Sequence, residues 1–123
     1  MTVLLVGVGG FLGAVARYGV DSIVSRATAG AFPFGTLVVN LSGSLALGLI
    51  YALTVERAAL PAEIRGPVLI GFIGAYTTFS TWMLESWRLA EEGALAAAAL
   101  NIGGSVVLGL GALFLGLAIG RMY

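Results

Sequence analysis

Four long apolar stretches dominate this sequence and limit what it can fold into. They run over about residues 3–24, 34–53, 67–87 and 95–119, and each has close to the 20 or so helical residues that a bilayer core requires. A soluble domain of 123 residues could not hide so much apolar surface, because small domains leave a large share of their surface exposed. The sequence therefore predicts an all-α membrane protein with four transmembrane helices per chain, in a single domain over residues 1–123.

The charged residues are few and fall mainly between the apolar stretches. They make up 10% of the chain, as six Arg, no Lys and six acids, so the net charge is zero and no basic patch suggests a nucleic acid partner. The chain has no Cys and no His, which removes disulfides, thiolate chemistry and the usual soft-metal ligands. Because no credible nucleophile lies beside a base, we do not expect an enzyme.

The arginines divide evenly between the two sides of the predicted membrane. In short loops, the side richer in Arg and Lys usually faces the cytoplasm. Here Arg17, Arg26 and Arg88 lie on one side, and Arg57, Arg65 and Arg121 lie on the other. This balance predicts either insertion in both orientations, with two opposed copies pairing, or one orientation fixed by something other than charge.

Small and polar residues recur at four-residue spacing on three predicted helices. Such stripes mark helix interfaces in lipid, because small residues allow close backbone approach and polar ones allow interhelical hydrogen bonds. The stripes are Gly9, Gly13 and Arg17; Thr36, Asn40, Ser44 and Gly48; and Asn101, Ser105 and Gly109. A buried amide either joins helices or lines a polar path. For Asn40 we favour the path; for Asn101 both readings stay open.

Arg17 is the one basic residue inside a predicted span. It either attracts an anion, or extends to the nearby interface and pairs with Asp21 one turn on. Its position near the helix end favours the second reading.

The centre of the third span, residues 71–82, is rich in glycine and hydroxyl side chains. Gly and Thr weaken a helix, and irregular backbone at membrane depth is tolerated only inside protein or along a cavity. We therefore predict a third helix broken near its middle, whose free carbonyls suit a hard cation such as Na⁺. The alternative is an unbroken helix whose Thr hydroxyls bond back to their own turn. Phe79 and Trp82 share a face, where they either pack or present positive ring edges to an anion.

These residues resemble a known family, the Fluc (CrcB) fluoride channels. The resemblance covers all four spans in order, through residues 9–18, 35–43, 71–81 and 101–105. Its most specific part is the run Thr-Thr-Phe-Ser-Thr at residues 77–81.

The resemblance implies an antiparallel, dual-topology homodimer in the cell inner membrane or plasma membrane, with two pathways for passive fluoride export. The implied pathway residues are Asn40, Phe79, Trp82, Ser105 and the hydroxyl residues Thr36, Ser44, Ser80 and Thr81. The resemblance also implies one structural Na⁺ at the dimer centre, held by the backbone carbonyls of Gly74 and Thr77, and an electrostatic or structural role for Arg17. Trp82 departs from the family, which has a second pore phenylalanine at this position.

Two other classes of function remain as alternatives. A proton-coupled small multidrug transporter also has four short helices in an opposed dimer, but it needs a membrane-embedded carboxylate. The predicted spans have none away from their ends, since Asp21 and Glu85 lie near the interfaces. The other alternative is a structural subunit of a larger complex, against which the pore-type residues on three helices argue.

Overall fold

The computed structural model describes residues 1–59 and 61–123, and the regular structure within them is helical throughout. The α-helices in this part of the chain are α1 (Thr2–Ala27), α2 (Phe34–Tyr51), α3 (Gly74–Tyr76), α4 (Phe79–Glu91) and α5 (Leu95–Met122). A π-helical turn, Ala52–Glu56, extends α2. A 3-10 turn, Ala62–Ile64, and a π-helical segment, Gly66–Ile73, precede α3.

Four helical stretches are long and apolar enough to cross a membrane: Thr2–Ala27, Phe34–Glu56, Ala62–Glu91 and Leu95–Met122. The predicted class, an all-helical protein with four membrane-crossing helices, is thereby confirmed. The observed helices run a few residues past the predicted spans, because hydropathy marks the edge of the lipid and backbone hydrogen bonding continues beyond it. The predicted loop over residues 56–66 includes position 60, which lies outside the described residues.

Glycines bring α1 against the π-helical segment Gly66–Ile73. Gly9 and Gly13 are buried, and a Cβ atom on either would overlap a backbone carbonyl, that of Pro67 or that of Phe72. Helices in lipid gain most from such close contact, since no hydrophobic effect drives their association there. The glycine stripe predicted on the first helix therefore lies at a helix interface.

A reciprocal pair of glycines holds α2 and α5 together. A Cβ atom on Gly48 would overlap the carbonyl of Leu113, and one on Gly116 would overlap the carbonyl of Leu45. The two backbones touch at both places, which fixes the height of α5 relative to α2. This contact sets the positions of Asn101 and Ser105 on α5 relative to Asn40 on α2.

Two residues with extended backbone separate α3 from α4. Thr77 has φ −76° and ψ 158°, and Thr78 has φ −147° and ψ 115°. The Thr78 hydroxyl oxygen accepts a hydrogen bond from the N–H of Thr81 at 3.4 Å, which caps the first turn of α4. The Thr78 side chain here bonds to the N–H of Thr81, which in a continuous helix would bond to a backbone carbonyl.

Candidate functional site

A cavity of about 440 Å³ lies between α2, α4 and α5, beside the extended residues Thr77 and Thr78. Its polar and aromatic lining includes Asn40, Ser44, Thr77, Phe79, Trp82 and Ser105. None of its described lining residues is charged. The cavity therefore offers amide, hydroxyl and ring-edge groups to a guest without a fixed charge.

Asn40 pairs in both directions with the backbone of Thr78. Its Nδ2 donates to the Thr78 carbonyl at 3.0 Å, and its Oδ1 accepts from the Thr78 N–H at 2.8 Å. The two bonds fix the orientation of the amide, because only the oxygen can accept and only the nitrogen can donate. One N–H of Asn40 remains beyond this pair, on a side chain that lines the cavity.

Two carbonyls near Asn40 lack the donors that they would have in a continuous helix. In a continuous helix the Thr78 N–H would donate to the Gly74 carbonyl, and the Thr81 N–H would donate to the Thr77 carbonyl. Here the first N–H donates to Asn40 and the second to the Thr78 hydroxyl. The carbonyls of Gly74 and Thr77, the two named from the sequence, have thus lost their usual helical donors.

Phe79 and Trp82 form an edge-to-face pair at the cavity. Their ring centroids are 5.6 Å apart and their planes meet at 73°. The Trp82 indole N–H donates to the backbone carbonyl of Asn101 at 3.0 Å, so the ring is also tied to α5. The Asn101 side chain is buried and donates to the Ser86 hydroxyl at 2.9 Å. Asn101 therefore joins α5 to α4, one of the two readings left open by the sequence.

The hydroxyl residues named from the sequence do not all meet at this cavity. Ser44 and Ser105 line it, and the Ser105 Oγ is buried without a hydrogen-bond partner among the described residues. Thr36 and Thr81 instead line a second cavity, of about 210 Å³. Ser80 is exposed on α4 and lines neither of these two cavities.

The second cavity also contains Arg17 and Asp21, with Thr78 between it and the first. The described residues contain one ion pair, between Arg121 and Glu56, so the predicted pairing of Arg17 with Asp21 is not seen. Asp21 instead accepts a hydrogen bond from the Ser25 hydroxyl at 3.2 Å.

Three residues contribute to these sites that the sequence analysis did not name as site residues. Thr78 supplies the backbone that Asn40 binds. Glu85 accepts a hydrogen bond from Thr36 at 2.8 Å, while its Oε2 is buried without a partner in the described part of the chain. Ser86 connects Asn101 to α4. The available signal was spacing, since Trp82 lies four residues after Thr78, and Glu85 and Ser86 lie three and four residues after Trp82.

Four membrane-length helices, three of which line an uncharged cavity that offers hydrogen-bond donors, define a multi-pass helical membrane protein. Comparison with known proteins narrows this class to one family. The family described as CrcB-like protein, Camphor Resistance (CrcB), matches residues 4–117. The chain belongs to this family.

Relatives of known name resemble the chain over almost its whole length. A protein of Nitratidesulfovibrio vulgaris, named fluoride-specific ion channel FluC, is 46% identical over 98% of this chain and 97% of its own. A protein of the same name from Maridesulfovibrio salexigens is 46% identical over 97% of this chain and 94% of its own. Fluoride-specific ion channel FluC 2 of Mycolicibacterium paratuberculosis is 48% identical over 99% of each.

Proposed function

We propose that this chain forms a fluoride-selective channel, which lets fluoride leave the cell passively across its inner or plasma membrane. The observation that carries the proposal is the uncharged, donor-lined cavity beside Asn40 and Phe79. The family membership and the relatives named as fluoride-specific ion channels support it.

The chemistry of the cavity suits a small, strongly hydrated anion. A selective pore must replace the ion's water with its own groups, and it must bind weakly enough to release the ion. The free N–H of Asn40, the hydroxyls of Ser44 and Ser105 and the ring edges of Phe79 and Trp82 are donors or partial positive charges. None carries a full charge that would trap the anion.

Passive export then follows from acid–base chemistry. Undissociated hydrogen fluoride crosses the bilayer and ionises in the less acidic cytoplasm. The trapped ion leaves through the channel. Arg17, beside Thr36 and Thr81 in the second cavity, would attract the anion toward that cavity or brace the helix end.

The functional unit in this proposal is an antiparallel homodimer of two dual-topology chains. Within one chain the cavity is open toward exposed residues, including Phe79, Val106 and Leu110. Lipid is a poor partner for the Asn40 amide and the Ser105 hydroxyl, so a second copy is expected to close the cavity. The even division of the arginines supports opposed orientations.

A third helix broken near its middle, holding one structural Na⁺ at the dimer centre, also belongs to the proposal. The extended backbone at Thr77 and Thr78 supports the break. The Gly74 and Thr77 carbonyls fit the ion, because their usual donors bond elsewhere and oxygen is the ligand that hard cations prefer. Bound Na⁺ would supply positive charge to the dimer centre.

Replacement of Na⁺ by N-methyl-D-glucamine tests this part of the proposal. If Na⁺ binds the folded dimer, its melting temperature rises with Na⁺ concentration at constant ionic strength. Fluoride efflux should fall when all Na⁺ is replaced. Efflux and melting temperature that are both indifferent to the replacement would remove the Na⁺ site.

Ion efflux from liposomes tests the function itself. Purified protein should release fluoride and retain chloride, with no dependence on a proton gradient. Equal efflux of the two halides would refute a selective channel. Efflux that requires a proton gradient would instead indicate a transporter of the small multidrug type.

A further inference from the structure

We propose that the Trp82 indole keeps the Ser105 hydroxyl free to bind the anion, which makes Trp82 a positioning residue for the permeation path. This inference rests on the proposed function. Both residues line the 440 Å³ cavity, Trp82 from α4 and Ser105 from α5. The link between them is the backbone carbonyl of Asn101, one helical turn before Ser105.

A hydroxyl in a membrane helix usually bonds to its own backbone. Ser and Thr commonly donate to the carbonyl four residues earlier, because no water is present to serve as the acceptor. In this chain, several hydroxyls make that bond, at distances from 2.6 to 3.0 Å. They are those of Thr28, Ser42, Thr54, Thr77 and Ser86.

Ser105 does not make this bond. Its Oγ is buried and has no partner among the described residues, although α5 is continuous on both sides of it. The acceptor it would use is the carbonyl of Asn101, which has two lone pairs. The helix gives one lone pair to the Ser105 N–H, and the Trp82 indole takes the other at 3.0 Å.

The indole therefore removes the acceptor that would otherwise hold the Ser105 hydroxyl against its own helix. An unpaired buried hydroxyl is unfavourable, so Ser105 needs a guest that can accept a hydrogen bond. An anion in the cavity is such a guest. A phenylalanine at position 82 has no N–H, and the Asn101 carbonyl would then be open to Ser105.

The Trp82 indole N–H, conversely, is withdrawn from the anion. It is a stronger donor than a ring edge, and it would bind fluoride more tightly if it faced the cavity. Its bond to Asn101 leaves the ring itself beside Phe79. The tryptophan thus withdraws its own N–H from the cavity and leaves the Ser105 hydroxyl available to the anion.

A double-mutant cycle of fluoride efflux from liposomes tests the link. Ser105→Ala should lower the efflux rate about tenfold, as expected for one hydrogen bond to an ion. Trp82→Phe should lower it by a similar factor, and Ser105→Ala should add almost nothing in the Trp82→Phe protein. If Ser105→Ala costs the same factor in both backgrounds, Trp82 does not act through Ser105 and the proposal is overturned.

Two further variants separate the N–H from ring size and from helix effects. An indole isostere without the N–H, 3-benzothienylalanine at position 82, keeps the bicyclic ring and should reproduce the loss seen with Trp82→Phe. Trp87→Phe makes the same change at an exposed tryptophan five residues further along α4. In the Trp87→Phe protein, Ser105→Ala should still lower the efflux rate by the full factor of about ten. Wild-type efflux in the isostere protein would contradict the proposal.

A structure of the Trp82→Phe protein gives a readout that does not depend on efflux. Ser105 Oγ should lie at hydrogen-bond distance, about 2.8 Å, from the Asn101 carbonyl oxygen. A hydroxyl that stays turned away would overturn the inference even if efflux falls. Absence of selective fluoride efflux in the wild-type protein would instead refute the proposed function, and this structural comparison would still decide the positioning role of Trp82.

Discussion

The Asn40 side chain performs two tasks with one amide group. Its oxygen and one of its N–H groups complete the backbone of Thr78, and the remaining N–H is available to the cavity. The first task holds the extended residues against α2, and in the proposed channel the second offers a donor to an anion. A substitution here affects both, so the choice of replacement decides what is measured.

Asn40→Asp should reduce fluoride efflux at pH 8 to below about a hundredth of the wild-type rate. The new carboxylate can still accept from the Thr78 N–H, but it cannot donate to an anion, and its charge repels one. Size-exclusion chromatography in detergent serves as the control and should show an unchanged assembly. Efflux near the wild-type rate would show that anions pass elsewhere.

Phe79→Ile should lower fluoride efflux by about tenfold, because it keeps apolar bulk and removes the positive ring edge. Phe114→Ile is the matched control, since Phe114 is 66% exposed in this chain and Phe79 is 71% exposed. The control should conduct like the wild type. Equal rates in the two variants would mean that the Phe79 ring only packs against its neighbours.

The sequence predicted which side chains carry donors but not where each donor is directed. Residues four apart on one helix share a face by geometry alone, so Thr36, Asn40 and Ser44 could be grouped without a structure. The structure divides this group, with Thr36 beside the second cavity and the other two beside the first. Which carbonyl the Trp82 N–H reaches depends on the height of α5, and local sequence does not encode it.

Among the helices, glycine contacts decide the packing. The contacts of Gly48 with the backbone of α5 and of Gly116 with the backbone of α2 join the two helices. Dispersion falls steeply with separation, so close approach over a few residues contributes a large part of the association in lipid. An atom added at either glycine overlaps the backbone of the other helix and is destabilising.

Gly116→Ala should lower the free energy of unfolding by about 1–3 kcal/mol, because the methyl group overlaps the backbone of α2. Gly111→Ala provides a control on the same helix. Nothing lies within 4 Å of a Cβ atom at position 111, so that change should be neutral or slightly stabilising. Thermal unfolding in detergent measures both. Equal melting temperatures would show that α2 and α5 do not depend on this contact.

Element lengths were predictable because the bilayer fixes them, whereas helix type was not. Four apolar runs of membrane length require four helices, since backbone groups in lipid must pair within their own segment. The π-helical segment Gly66–Ile73 has no comparable signal in the sequence. This segment packs against Gly9 and Gly13 of α1, so its π-helical turns occur at a tertiary contact.

At the scale of the whole molecule, the sequence predicts how the chain is oriented in the membrane. The fold of a single chain does not test that prediction, so an experiment must. The open side of the cavity favours a second copy, and the arginine balance favours opposed orientations of the two copies. The Na⁺ site and the dimer stay predictions because each depends on an ion or a neighbour beyond the single chain. The broken third helix also stays a prediction, supported by the extended backbone at Thr77 and Thr78.

Labelling of a single cysteine in intact cells should find both orientations. The chain has no native cysteine, so Ala29→Cys in the exposed first loop introduces one site. A membrane-impermeant maleimide should label about half of the molecules, and the rest should react only after permeabilisation. Complete labelling, or none, in intact cells would refute dual topology.

Glu91→Lys provides the complementary test of orientation. The change places extra positive charge at the exposed last residue of α4, beside the loop that leads to α5, and should drive most copies into one orientation. Fluoride efflux should fall accordingly and return when a copy with the opposite bias is co-expressed. Unchanged labelling and efflux would show that charge does not set the orientation.

The bond between Asn40 and Thr78 also bears on the order in which the chain is assembled. The two residues are 38 positions apart, so the amide on α2 enters the membrane before the extended backbone that it completes. An unpaired peptide group in lipid costs several kcal/mol, and the third span would carry that cost if it entered alone. With α2 already inserted, the later segment meets a matching partner as it leaves the ribosome and translocon. Synthesis from the N-terminus thus gives the second helix the role of a template for the third.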